Sequence, residues 1–165
     1  WWKIMLTLII TLPLAIAVVY YIHKLYKKKE KSLSFYEGLQ LTSVPIVTVK
    51  SGTEKLNFML DTGSTQCVLN TSITGSLNLI SNNKTGVSVS ASGDNISYNV
   101  CMLPFEYKDL KFNYSFNIMD MSNCFDSLKE ATGCTVHGIL GSNFFSDYGY
   151  CLDFKNYNLY QKWIL

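Results

Sequence analysis

From Leu39 onward the apolar residues recur at every second position, and this spacing restricts the possible folds more than any other property of the chain. In "LNFML" Leu56, Phe58 and Leu60 share one face. In "VSVSA" Val87, Val89 and Ala91 stand opposite serines, and in "FNYSFNIM" Phe112, Tyr114, Phe116 and Ile118 alternate with Asn, Ser and Met. Successive side chains of a strand point to opposite sides, so a period of two places one face in a core and the other in water. Such runs are half-buried antiparallel strands. Hairpin turns are supplied by "KSGTEK" from Lys50, "ASGDN" from Ala91 and "FKNYN" from Phe154. Helical spacing is confined to "FDSLKEA" (Phe125 to Ala131) and "SNFFSDY" (Ser142 to Tyr148), and no long repeat is present. A chain of 165 residues, 48% of them apolar, encloses one core and not two. The expected fold is all-β, a small closed β-barrel with one or two short helices.

The N-terminus has a different pattern. Ile4 to Ile22 is a run of nineteen residues without a charge, about the length that crosses a hydrocarbon layer of about 30 Å at about 1.5 Å per residue. Residues 1–22 are therefore expected to be a transmembrane anchor preceding the barrel. Pro13 is tolerated inside a membrane helix, and Trp1, Trp2, Tyr20 and Tyr21 suit the two interfaces. The competing reading is a secretory signal peptide, with "AIA" at Ala15 to Ala17 as cleavage site. Against it, only Lys3 precedes the run, and "VVYYI" extends the run past the cut.

"HKLYKKKEK", His23 to Lys31, carries five lysines against one acid. A basic flank stays cytoplasmic, so a single-pass protein with a cytoplasmic C-terminal domain is expected, with export as the alternative. The flank suits anionic lipid headgroups better than nucleic acid. Residues 23–38 then form a basic juxtamembrane linker, and residues 39–165 the folded domain. The net charge of +2 conceals this division. Six of the fourteen lysines lie in residues 1–31 beside a single acid, which leaves eight lysines against eleven acids in the remainder. A mildly acidic domain argues against nucleic acid as a partner.

One stretch carries chemistry. In "NFMLDTGSTQCVLN" an apolar strand ends on Asp61, and Gly63 lets the chain turn back toward the core. This places a carboxylate on a rigid turn where backbone N–H groups can face it; a plain loop with a turn-forming Asp is the alternative. A second stretch, "HGILGSNFF" from His137 to Phe145, sets the apolar pair Ile139 and Leu140 between glycines, with Gly141 leading into a helix. Together the two stretches resemble the aspartic proteases of the retropepsin type. "LDTGS" resembles the catalytic turn, and "GILGSNFF" resembles the apolar-apolar-Gly strand and short helix that thread behind it. The resemblance covers about Leu39 to Leu165. The sequence departs from it at Ser142, where retroviral members have Arg, and in a flap region without their Gly-rich pattern.

The resemblance implies an aspartic-type endopeptidase with Asp61 as its catalytic acid. Two-lobed relatives carry two such turns, and this chain carries one, so a homodimer is implied in which two Asp61 carboxylates meet at a twofold axis. They would share a proton, one acting as general base on water and the other as acid, without metal or cofactor. By analogy the Thr62 hydroxyl crosses to the other subunit, Gly63 gives backbone access to the carboxylate, and Ser64 hydrogen-bonds its outer oxygen. The hairpin Val87 to Val100, with Ser92 and Gly93 at its tip, is the candidate flap, pairing with an extended peptide substrate and excluding water; a plain surface hairpin is the alternative. The terminal "LYQKWIL" is apolar enough to add a strand across the subunit boundary or to close its own barrel. The alternative function is an inert membrane-tethered barrel of the same fold that binds or dimerises.

Other residue types contribute less. Cys67, Cys101, Cys124, Cys134 and Cys151 show no Cys-x-x-Cys spacing and are odd in number, which fits reduced thiols packed as small core side chains. Cys124 and Cys134 could pair in an exported domain. With two histidines, His23 and His137, neither a zinc site nor a Cys-His nucleophile is expected, and His137 reads as a strand-end residue.

Overall fold

In the computed structural model the period-two runs become a ring of strands. Residues 18, 32–89, 93 and 95–162 are described, with backbone alone at 82, 83, 88, 89, 95 and 96. All but residue 18 fall in one compact unit, Ser32–Leu165. Its elements in chain order are α1 (Phe35–Thr42), β1 (Ile46–Ser51), β2 (Glu54–Asp61), β3 (Val68–Asn70), a 3-10 turn (Thr71–Ser76), β4 (Ile80–Val89), β5 (Asn95–Tyr107), β6 (Leu110–Met119), α2 (Ser122–Thr132), β7 (Gly138–Gly141), α3 (Ser142–Tyr148), β8 (Tyr150–Asp153) and β9 (Asn158–Gln161). The sheet order is β1-β2-β7-β3-β6-β5-β4, and β5 returns to β1, so six strands close into the expected barrel. Two pairings are parallel, β2 with β7 and β3 with β6; the others are antiparallel.

The closing contact is narrow. β1 meets β5 through one pair, Lys50 with Glu106. Pro104 explains the brevity: its carbonyl oxygen accepts a 2.7 Å hydrogen bond from Ser51 Oγ, so its backbone faces β1, yet proline has no N–H to extend a ladder on that side.

Two apolar clusters hold the unit. Inside the barrel Leu56, Phe58 and Leu60 point inward as their spacing predicts, and Phe58 is fully buried. Its ring lies 5.3 Å from Phe116, Phe105 lies 5.2 Å from Phe112, and Phe112 lies 5.3 Å from Phe144 of α3. Each such ring contributes about 1.5–3 kcal/mol by burial alone. A second cluster joins Ile46, Val68 and Ile139 to Phe125 of α2 and to Cys134 and Val136. These strand residues are neighbours of Val47, Leu69 and Leu140, which face the barrel interior. At these positions β1, β3 and β7 are thus covered on both faces, so adjacent residues are apolar there.

Several sequence expectations change. Helix α1 begins inside the stretch read as linker through residue 38. Ser34 Oγ accepts from the Glu37 N–H at 3.2 Å, and the Glu37 carboxylate accepts from the Ser34 N–H at 3.0 Å, forming a reciprocal cap. Phe35 enters the core, and a Cβ on Gly38 would collide with the Ile46 carbonyl, so α1 packs directly on β1. Val87, expected in a buried face, is 62% exposed. Among the described residues β4 pairs with β5 alone and residues 95–98 of β5 pair with β4 alone, so this hairpin runs past the barrel and leaves Val87 uncovered. The C-terminal segment does not close the barrel: β9 pairs with β8 in a separate two-stranded sheet, and Leu159 is buried there. Trp163 to Leu165 lie outside the described residues. All five cysteines are free, Cys124 and Cys134 included. Among the described residues no helix is long and apolar enough to cross a membrane; the expected anchor, apart from Val18, and the lysine-rich flank lie outside them.

Burial pushes the Cys101 thiol up to about 11 and the Cys67 thiol and Tyr107 phenol up to about 12, from ordinary values of 9.0 and 10.0. The folded chain holds these protons more tightly than the unfolded one. The stability they lend is complete below about pH 9 and is lost as pH rises toward about 12. Urea titrations at stepped alkaline pH should show the midpoint falling continuously from about pH 9 upward, and a constant midpoint there would contradict this account.

Candidate active site

β2 delivers Asp61 at its last position, in parallel register with Gly141, the last residue of β7. The chain then turns sharply. The Gly63 N–H donates to Asp61 Oδ1 at 2.9 Å, and the Ser64 N–H donates to the Asp61 carbonyl oxygen at 3.3 Å. Asp61 is half-buried, and Thr62 and Gly63 are exposed. A carboxylate held by its own turn is oriented without being sealed from solvent.

Behind the turn the chain is docked on the start of α3. The Ser64 carbonyl oxygen accepts from the Ser142 N–H at 2.8 Å and from Ser142 Oγ at 3.0 Å. A Cβ on Gly141 would run into the Gln66 carbonyl and lie 2.9 Å from the Ser64 carbonyl oxygen, so the close approach depends on glycine here. Cys67 Sγ accepts from the Gly141 N–H at 3.3 Å and donates to Asn143 Oδ1 at 3.4 Å, and that oxygen also accepts from the Phe144 N–H at 2.9 Å.

The structure thus gathers Asp61, Thr62, Gly63 and Ser64 in one turn, with Ile139, Leu140 and Gly141 buried behind it. Ser64 differs from its expected role: its Oγ donates to the Gln66 carbonyl oxygen at 2.7 Å, not to Asp61. Ser142, at the position that departs from the retroviral pattern, bonds within the chain. Of the candidate flap tip, Ser92 lies outside the described residues, and Gly93 is exposed with φ of 89°, in the left-handed region a tight hairpin tip uses. His137 is a strand-end residue: Nδ1 accepts from the Asn57 N–H at 2.9 Å, just before β7. A cavity of about 290 Å³ lined by Lys50, Glu54, Leu77, Phe105, Glu106 and Phe112 lies at the hairpin end of β2, away from Asp61. Among the described residues no cluster of three or more His, Cys, Asp or Glu is placed to hold a metal.

Sequence reasoning missed Cys67 and Asn143. It took most of the cysteines as core filling, but this thiol bonds both β7 and α3 from beneath the turn. Cys67→Val should leave the buried Gly141 N–H unpaired and cost about 1–3 kcal/mol, while Cys67→Ser, which keeps a donor and an acceptor, should cost less. Urea titrations of the two variants decide it; equal losses would deny the thiol its bonding role.

The sequence model of the family described as "Aspartyl protease" matches residues 46–144, from β1 through the glycine behind the Asp61 turn and into α3. A search of curated proteins returns no match. Among solved structures, EIAV protease complexed with the inhibitor HBY-793 is 20% identical, with a TM-score of 0.49, 74% of this chain and 93% of that chain being covered. The retroviral protease-like domain of Ddi1 from Leishmania major is 14% identical, with a TM-score of 0.48, covering 72% of this chain and 88% of that one. With 99 consecutive residues matched, including its one Asp-Thr-Gly turn, the chain belongs to the aspartyl protease family, as a single-lobed, retropepsin-like member.

Proposed function

We propose that this chain is a membrane-anchored aspartic endopeptidase whose active site is complete only in a homodimer. The observation that carries the reading is the Asp61 turn, a half-buried carboxylate at a strand end, held by the Gly63 N–H and backed by Gly141. The sequence holds one Asp-Thr-Gly turn, so its counterpart comes from a second copy across a twofold axis. Two carboxylates brought that close share one proton, because both cannot ionise cheaply. The ionised Asp61 takes a proton from the water that attacks the peptide carbonyl carbon. The protonated one stabilises the charge growing on the carbonyl oxygen and helps protonate the leaving amine as the C–N bond breaks.

Thr62, exposed in the single chain, reaches the partner in this arrangement. The β4–β5 hairpin, running past the barrel, serves as the flap, with Ser92 and Gly93 at its tip, and pairs its backbone with an extended peptide. Residues 1–22 tether the enzyme, and the five lysines that follow hold the domain on the cytoplasmic side.

Asp61→Asn in the full chain should abolish peptide cleavage and leave the melting temperature nearly unchanged. Cleavage by this variant at the unmodified rate would remove Asp61 from the mechanism. In detergent, activity per subunit should fall on dilution as dimers dissociate by mass action; a rate strictly proportional to chain concentration, from a protein shown to be monomeric, would rule out the shared site.

A further inference from the structure

Among the described residues, Ser142 Oγ is the one side-chain atom outside the Asp61 turn that bonds to it. It donates to the Ser64 carbonyl oxygen at 3.0 Å, beside the Ser142 N–H at 2.8 Å. Ser64 closes the turn. Its N–H donates to the Asp61 carbonyl oxygen at 3.3 Å and its hydroxyl to the Gln66 carbonyl oxygen at 2.7 Å, both within the loop, so its own carbonyl oxygen is the group that reaches another element. The first residue of the turn, Asp61, is the register partner of Gly141. Two consecutive residues, Gly141 and Ser142, thereby hold both ends of the turn.

The two bonds from Ser142 differ in what they require of the sequence. Any residue but proline supplies the N–H. The second bond needs a hydroxyl in this place, and the arginine of the retroviral pattern has none. Because the N–H already pairs the Ser64 carbonyl oxygen, the hydroxyl is not what saves that acceptor from standing unpaired. What it adds is direction: a carbonyl oxygen has two lone pairs, and a second donor restrains it about two directions instead of one.

We propose that Ser142 is a positioning residue, whose hydroxyl fixes how closely the two Asp61 carboxylates approach in the dimer and thereby the pH range over which they hold one proton between them; the inference rests on the shared-site reading above. Two unit charges repel about a quarter less at about 4 Å than at about 3 Å, and at an effective dielectric constant of about 20 that difference amounts to about one pH unit. A turn free to drift by about an ångström lets the two carboxylates titrate more nearly independently. The range in which one proton is shared then narrows from both sides.

The test follows cleavage of an internally quenched peptide, selected from a random library with the unmodified chain, as a function of pH. It is run in detergent at chain concentrations where activity per subunit no longer rises. Ser142→Ala should lower kcat about tenfold or more at unchanged KM, and narrow the bell-shaped profile of kcat/KM by about one pH unit. Ser142→Thr, which keeps the hydroxyl, should restore both. Ser127→Ala removes a bond of the same kind in α2, from Oγ to the Asn123 carbonyl oxygen at 2.8 Å, and should leave both as they were. Should Ser142→Ala not fold, Ser142→Cys, with its weaker donor, takes its place with the same expected narrowing. Unmoved limbs in a folded, cleaving variant would overturn the proposal and leave the shared site standing. So would a loss that higher chain concentration repairs, which would assign the hydroxyl to dimer assembly. An unmodified chain that cleaves nothing, or cleavage that survives Asp61→Asn, would overturn the shared-site reading and this proposal with it.

Discussion

The close approach of the Ser64–Gln66 backbone to Gly141 is the constraint on which the rest of the site depends. Without a Cβ at 141 the loop lies against the end of β7, and the Ser64 carbonyl oxygen receives both hydrogen bonds from Ser142. That contact fixes where β2 ends, because Asp61 and Gly141 are register partners. It also fixes where α3 begins, and α3 in turn sends Phe144 and Phe145 into the interior. One missing methyl group thereby links the carboxylate to the barrel core.

Much of this was legible because it follows from short-range rules. The alternation in "LNFML" and "FNYSFNIM" gave the inward faces of β2 and β6, and "SNFFSDY" coincides with α3. Local pattern failed where the outcome depends on what lies beside a strand. Val87 has the alternation of a half-buried residue, but among the described residues nothing covers it. The turn at Lys108 and Asp109 has φ of 47° and 66° without a glycine to announce it, so the β5–β6 hairpin was not marked. α1 was legible in principle, since Ser34 and Glu37 stand at capping-box spacing, but its nearness to the lysine run hid it. The bonds made by Cys67 were not legible at all: they join residues 74 and 76 positions apart, and sequence places neither partner.

The two apolar clusters divide the work. The interior one fills the barrel with rings from β2, β5, β6 and α3, while the exterior one fastens α2 over β1, β3 and β7. The strands that carry the Asp61 turn and its backing thus lie between two packed layers. Interiors at that density resist displacement, so the Asp61 turn stands on a stiff base.

β5 belongs to two structures at once. Its first residues form the projecting hairpin with β4, and its last ones form barrel wall between β6 and β1. On the β1 side a proline and a single residue pair are what join it. A long strand paired along one edge and at a single position on the other is tied to the barrel chiefly through the β6 ladder. The attachment of the hairpin and the Asp61 turn therefore stand on different strands, β5 and β6 for the one and β2 and β7 for the other.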